Sequence, residues 1–259
     1  MRLKQFKLAA VAGTALLLNL VAIGVCGAQS LPADTAFVHS AVQNAEAVYK
    51  QAVGLQSHLY NGTEYVDYRK PYLDGDQFFV SKDMVRGDIW YDGAWHRQVP
   101  MLYDLVTDEV VMPHNIKGLL MRLINEKVDT FHLRGHTFVR LQADSTGQDE
   151  LRPGFYDLLY NGHAAKLLVR RTKNIQDRAT PQGMEGEFRV SDKLYILKDG
   201  VYHQVRSKRA VFKVLKDEKK QLQRHAASQK LKFRKEKEQA ILSTVSYYNS
   251  LSEKQTHAD

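Results

Sequence analysis

Asp88 to Pro113 reads DIWYDGAWHRQVPMLYDLVTDEVVMP, the pattern of four short strands folded back on one another. Asp92-Gly93 is the dipeptide a two-residue hairpin turn demands, because both central residues take positive φ and Asp and Gly tolerate it best. Thr107-Asp108 makes a second, weaker turn. Between the turns the side chains alternate, with Met101, Tyr103 and Leu105 on one face and Leu102, Asp104 and Val106 on the other. The stretch sets an antiparallel meander, and the flanking sequence extends it.

Period-two patterning begins at Thr63. It predicts strands over Thr63–Tyr68, Gln77–Val80, Val85–Tyr91, Ala94–Val99, Met101–Val106, Glu109–Met112, Lys127–Leu133 and Thr137–Gln142. Gly154–Tyr160, Ala165–Thr172, Glu187–Val190, Lys193–Lys198 and Val201–Val205 follow. Arg134-Gly135, Asn161-Gly162 and Asp199-Gly200 read as turns, and the surroundings of Gly147 and Ile175–Gly186 read as mobile loops. Apolar residues at consecutive positions, Leu167-Leu168-Val169 and Leu102-Tyr103, fit a sheet covered on both faces. The segment from Asp92 to Val99 echoes that from Asp199 to Val205, the outcome expected when two hairpins use the same turn and cross-strand aromatic.

The flanks change period. Asp34 to Gly54 predicts a helix, capped by Asp34 or Thr35, with Val38, Val42, Ala45, Tyr49 and Ala52 on the stripe that would pack on the β body. Ser207 caps a helix predicted to run to about Ala227, burying Val211, Val214, Leu215 and Leu222. Lys213, Lys216, Lys219, Lys220 and Arg224 then face outward. A second helix, from about Lys235 to Leu251, buries Ile241, Val245, Tyr248 and Leu251. The expected fold is α+β, mainly antiparallel β: a curled or two-layer meander with an N-terminal helix and a C-terminal helical hairpin.

The first residues, MRLKQFK, are basic and precede the apolar run Leu8 to Val25 and the small residues Gly27 and Ala28. This reads as a secretory signal, with cleavage expected after Ala28 and no transmembrane span thereafter; the alternative is a transmembrane anchor, because a run of about 18 apolar residues is the lower edge of a span. A bacterial lipoprotein needs a small residue before its lipidated cysteine, and Val25 before Cys26 argues against that route. Cys26 is the only cysteine, so the mature chain has no disulfide, thiol nucleophile or thiolate metal site. The expected organisation is a signal peptide over 1–28, the helix over 29–56, the β body over 57–205 and the basic hairpin over 206–259. Formal charge is +8 overall, but residues 206–259 alone carry +8 while residues 29–205 carry −3. The basic tail reads as a solvated helical face or as a surface for polyanions, and export argues against nucleic acid.

The sequence contains no Gly-x-Ser-x-Gly elbow, His-Glu-x-x-His motif, phosphate loop or Gly-x-Gly-x-x-Gly turn. His132 and His136 flank the Arg134-Gly135 turn and form the candidate metal pair, with His114 or His163 as third ligand. Asp104 with Asp108 or Glu109, and Asp88 with Asp92, are the carboxylate pairs that a glycosidase would need. Among the aromatics, Trp90, Trp95 and Tyr103 are the candidate ligand contacts, beside Phe78, Phe79 and Tyr91. No cofactor motif is present.

Three stretches together resemble uncharacterised exported proteins of Bacteroidota: Leu59-Tyr60-Asn61-Gly62 with Glu64-Tyr65, the meander from Tyr91-Asp92-Gly93 to Tyr103-Asp104, and Tyr247-Tyr248-Asn249. The resemblance implies a Gram-negative envelope location, periplasmic or surface, and lends no functional residues. The expectation is a non-enzymatic binding or scaffold protein for an apolar ligand or a protein partner, with lipid, glycan or envelope protein as partner classes. The alternative is an envelope hydrolase acting on glycan or ester substrates.

Overall fold

The computed structural model describes residues 37–45, 48, 58–114, 116, 118–142 and 151–256. The chain divides into two compact units, Met1–Gly54 and Leu55–Asp259. In the first, residues 37–45 form helix α1. The signal segment, Cys26, the proposed caps of α1, Tyr49, Ala52 and Gly147 lie outside the described residues.

The second unit holds fourteen strands, three α-helices and two short 3-10 turns among its described residues. The strands are β1 (Thr63–Tyr65), β2 (Leu73–Asp74), β3 (Val85–Tyr91), β4 (Ala94–Asp104), β5 (Glu109–Pro113), β6 (Leu120–Arg122) and β7 (Val128–Leu133). They continue as β8 (His136–Leu141), β9 (Gly154–Asn161), β10 (Lys166–Arg170), β11 (Lys173–Thr180), β12 (Gly183–Val190), β13 (Lys193–Lys198) and β14 (Val201–Val205). The helices are α2 (Lys208–Val214), α3 (Lys219–Ser228) and α4 (Lys237–Thr256). Eleven strands form one antiparallel sheet in the order β1-β6-β5-β4-β3-β7-β8-β9-β10-β13-β14, and β11-β12-β2 form a second, mixed sheet.

The large sheet curls. In a flat sheet β4 and β9, four steps apart in the order, would lie about 19 Å from one another. Yet the Tyr103 ring of β4 lies 6.0 Å from the Phe155 ring of β9. Asp108, in the β4–β5 turn, accepts the backbone N–H of Phe155 at 3.3 Å. The enclosed face is filled by Ile89, Tyr91, Met101, Tyr103, Phe131 and Phe138, each at most 1% exposed. Phe131 and Phe138 stack at 4.8 Å, and Tyr103 meets both edge-on. Beyond β9 the same face passes under the helices, where Leu167, Val169, Leu194 and Ile196 pack against Val211, Leu215, Leu222, Ile241 and Val245. The sheet is covered on its other side too, as the doubled apolar positions predict: Leu102 packs with Tyr65, Phe78 and Val111, and Leu168 with Tyr156 and Tyr195.

Several details correct the expectation. Ala94–Val99 and Met101–Val106 are one strand, β4, which runs through Pro100 with a bulge at Gln98 (φ 53°). Gln77–Val80 makes only a single bridge, Phe78 with Asp104. Ile175–Gly186 is the β11–β12 hairpin rather than a loop; most of its residues are exposed, so no alternation marks it. Asp92-Gly93, Arg134-Gly135 and Asp199-Gly200 take the paired positive φ of a two-residue turn. Asn161-Gly162 does not; the β9–β10 connection is held by α4, whose Asn249 accepts from Ala164 N and Ala165 N and donates to Ala165 O. Ser207 caps α2 as expected. The predicted single helix breaks between Leu215 and Glu218, where Asp217 leaves the helical path to meet Lys198 of β13 (2.9 Å) and the Tyr248 hydroxyl of α4 (2.6 Å).

Candidate functional site

The β3–β4 hairpin register sets Trp90 opposite Trp95, so both indoles project from the outer face of the sheet. Their rings meet edge-on at 5.5 Å, and both remain half-exposed. The bulge beside them has a purpose in the geometry. It adds a residue opposite Asp88, whose carboxylate accepts the Gln98 backbone N–H (2.9 Å) and pairs with Arg97 (2.8 Å). The guanidinium of Arg97 thereby lies over the Trp95 ring at 4.7 Å. The Gln98 N–H and then Arg97 hold the Asp88 carboxyl below the usual carboxylate range. On the neighbouring β7, His132 pairs with Asp88 across the ladder, is exposed, and sets its ring 5.4 Å from Trp95. Trp90, Trp95, Arg97, Asp88 and His132 thus form one solvent-facing cluster. An open depression of about 300 Å³, lined by Leu59, Tyr60, Val99, Pro100 and Met112, shares Arg97 with it.

Tyr103 does not belong to this cluster. It lies on the enclosed face, 1% exposed, where burial raises its hydroxyl pKa and it donates to Asp108 at 2.6 Å. Phe78, Phe79 and Tyr91 are buried as well. The β7–β8 register pairs His132 with Thr137 and Leu133 with His136, which sends the two histidines to opposite faces. The structure therefore does not bring His132 and His136 together, and among the described residues no group of three His, Cys, Asp or Glu is placed to hold a metal.

The carboxylates are held by separate partners, although the β4–β5 register does set Asp104 opposite Glu109, which pairs with Arg122. Asp104, fully buried, accepts from Tyr65 (2.7 Å), Tyr68 (2.8 Å) and the backbone of Val106 and Thr107. Asp108 takes Tyr103 and Phe155 N, with burial raising its carboxyl pKa against the pull of Tyr103 and Arg170. Asp92 pairs with Lys127. Each anchors a turn.

One polar network was not foreseen. His136 Nδ1 lies 2.8 Å from Asp157 Oδ2, and Asp157 is 1% exposed. Arg171 donates to the same carboxylate through Nε and Nη2 (2.9 and 2.7 Å), and reaches Asp192 and Glu238 through Nη1 (both 2.8 Å). Burial disfavours the guanidinium charge, but Glu238 and Asp157 outweigh that and hold it above its ordinary range. Glu238 sits in the first turn of α4, so this network clamps that helix to the sheet. The visible signal was Asp157 in the otherwise apolar run FYDLLY, a lone acid where the strand is covered on both faces.

Compared with known proteins, the chain matches no family model, no curated protein and no solved structure.

Proposed function

We propose that the protein is a non-enzymatic binding or scaffold protein of the cell envelope, and that it engages a protein partner through the outer face of β3, β4 and β7. The observation that carries this reading is the cluster of half-buried Trp90 and Trp95 with exposed Arg97 and His132, beside an open depression lined by both apolar and polar side chains. Trp and Arg supply most of the energy in protein interfaces, and their anchors fill shallow pockets of this kind. A glycan platform needs a free indole face, and here Arg97 covers one face of Trp95. An apolar ligand held inside the curl would have to displace side chains that are at most 1% exposed, since the enclosed face is packed with aromatic rings. The envelope location rests on the basic, apolar N-terminal segment with Gly27 and Ala28 after it.

A photo-activatable residue at Thr130, which lies opposite Trp90 on β7, tests this in the source organism. A discrete protein adduct is expected from Thr130, and none from the same probe at Lys193 of β13. Adducts of equal yield at both positions, or at neither, would remove the proposed face.

A hydrolase remains the second reading on one observation. The half-exposed His136 imidazole is oriented through Nδ1 by a buried carboxylate, the arrangement of a general base.

A further inference from the structure

We infer that α2, α3 and the segment joining α3 to α4 form a docking strip for anionic phospholipid headgroups at a bilayer surface. Residues 206–235 contain twelve Lys or Arg against two acidic residues. The helices bury Val211, Leu215, Leu222 and Ala226 on the sheet, and this fixes Lys213, Lys216, Lys219, Lys220 and Arg224 outward, where all are exposed. A solvated helix face ordinarily alternates the sign of its charges. On α3, Lys220 and Arg224 stand at i, i+4, a like-charge spacing that destabilises a helix, and Lys216 adds a further cation in the break just before it.

The fold does little to neutralise the strip. Of the two acids, Asp217 is engaged by Lys198 and Tyr248, and Glu218 accepts from Gln221. Lys232 pairs with Glu236, 3.4 Å apart and both exposed. The body of the chain is weakly acidic, so the positive charge is concentrated on one set of helices and not spread over the surface.

One feature favours lipid over nucleic acid. Eight of the twelve cations are lysines, compact point charges suited to a fluid layer of headgroups, whereas nucleic-acid recognition favours the arginine fork. Leu231 and Phe233 pack partly against the helical core and so hold the basic residues Lys230, Lys232, Arg234 and Lys235 beside them at the surface. This strip is separate from the tryptophan cluster, so either assignment can fail without the other.

The test is sedimentation of the full-length protein with phosphatidylcholine vesicles, with and without about one-third phosphatidylglycerol. Binding is expected only with the anionic lipid, and it should fall as salt rises from about 0.05 M to about 0.5 M, where the screening length drops below the headgroup spacing. Joint Lys216→Glu, Lys220→Glu and Arg224→Glu substitution should weaken it by at least about a hundred-fold. Lys213→Glu with Lys219→Glu serves as the second variant, and far-UV circular dichroism establishes that each is folded. The N-terminal segment is common to all these proteins and is itself basic, so binding driven by it would persist unchanged through charge reversal in the strip. That result would overturn the inference. Tighter binding to a short DNA duplex at equal phosphate concentration would overturn it in favour of nucleic acid.

Discussion

Asn249→Ala is expected to lower stability by about 3–5 kcal/mol, because it strands the backbone groups of Ala164 and Ala165 in the β9–β10 connection. Asn249 is fully buried on α4. Its Oδ1 accepts the N–H groups of Ala164 and Ala165 (3.0 and 3.2 Å), and its Nδ2 donates to Ala165 O (3.0 Å) and Val245 O (2.9 Å). One side chain therefore supplies the hydrogen bonds that the β9–β10 connection would otherwise draw from a regular turn. Gly162 completes the fit, since a Cβ there would overlap the Asn249 amide. Urea unfolding at neutral pH should show the loss, with a melting temperature lower by roughly 10 °C for a domain of this size. Asn249→Asp keeps the acceptor but loses both donations and buries a carboxylate against the carbonyl oxygens of Ala165 and Val245, so at neutral pH it should be at least as destabilising as the alanine variant. A change below about 1 kcal/mol in the alanine variant would mean that the connection holds itself.

Arg171→Met should cost about 3–5 kcal/mol, the range for removing one member of a buried ion pair. Its side chain is 11% exposed and Asp157 is 1% exposed, so deletion leaves a carboxylate deep in the sheet with only His136 beside it. It also frees Glu238, loosening α4 at its first turn. Arg171→Lys should recover little, because an ammonium cannot reach Asp157, Asp192 and Glu238 from one planar fork. Arg171→Met combined with Asp157→Asn should recover more than half of the loss, since most of it is the unpaired charge and not the missing bond. If the double variant is as unstable as the sum of the two single ones, the two residues are uncoupled and the clamp does not exist.

The meander was legible because its strands obey two rules at once. Asp92-Gly93 fixes the turn, and the alternation from Met101 to Leu105 assigns the faces. Ile241, Val245, Tyr248 and Leu251 are buried as the helical spacing predicts. Asn249 follows Ile241 and Val245 at i, i+4 and i+8, so a polar residue on the buried stripe was visible, though its partners were not. Other features depend on register. His136 and Asp157, and Asp157 and Arg171, meet only because β8, β9 and β10 pair with a particular offset and bulge. No spacing rule along the chain reports that. The β11–β12 hairpin escaped because exposure leaves Gln176, Asp177 and Arg178 without alternation. The break between α2 and α3 escaped because KVLKDEKK has neither Gly nor Pro, and tertiary contacts of Asp217 impose it. The candidate metal pair failed on parity: residues four apart across a two-residue turn fall on opposite faces of a hairpin.

Trp90 and Trp95 are the only tryptophans in the chain, so a label on tryptophan reports on the proposed contact face and nothing else. The decisive measurement is fluorine NMR of the 5-fluorotryptophan protein, titrated with detergent-solubilised envelope from the source organism. Partner engagement through β3, β4 and β7 predicts that both resonances shift or broaden together, and that Arg97→Glu abolishes this partner-induced change while circular dichroism shows the free variant folded. Two unmoved resonances from a chain that co-purifies with an envelope protein would place the binding surface elsewhere and contradict the account.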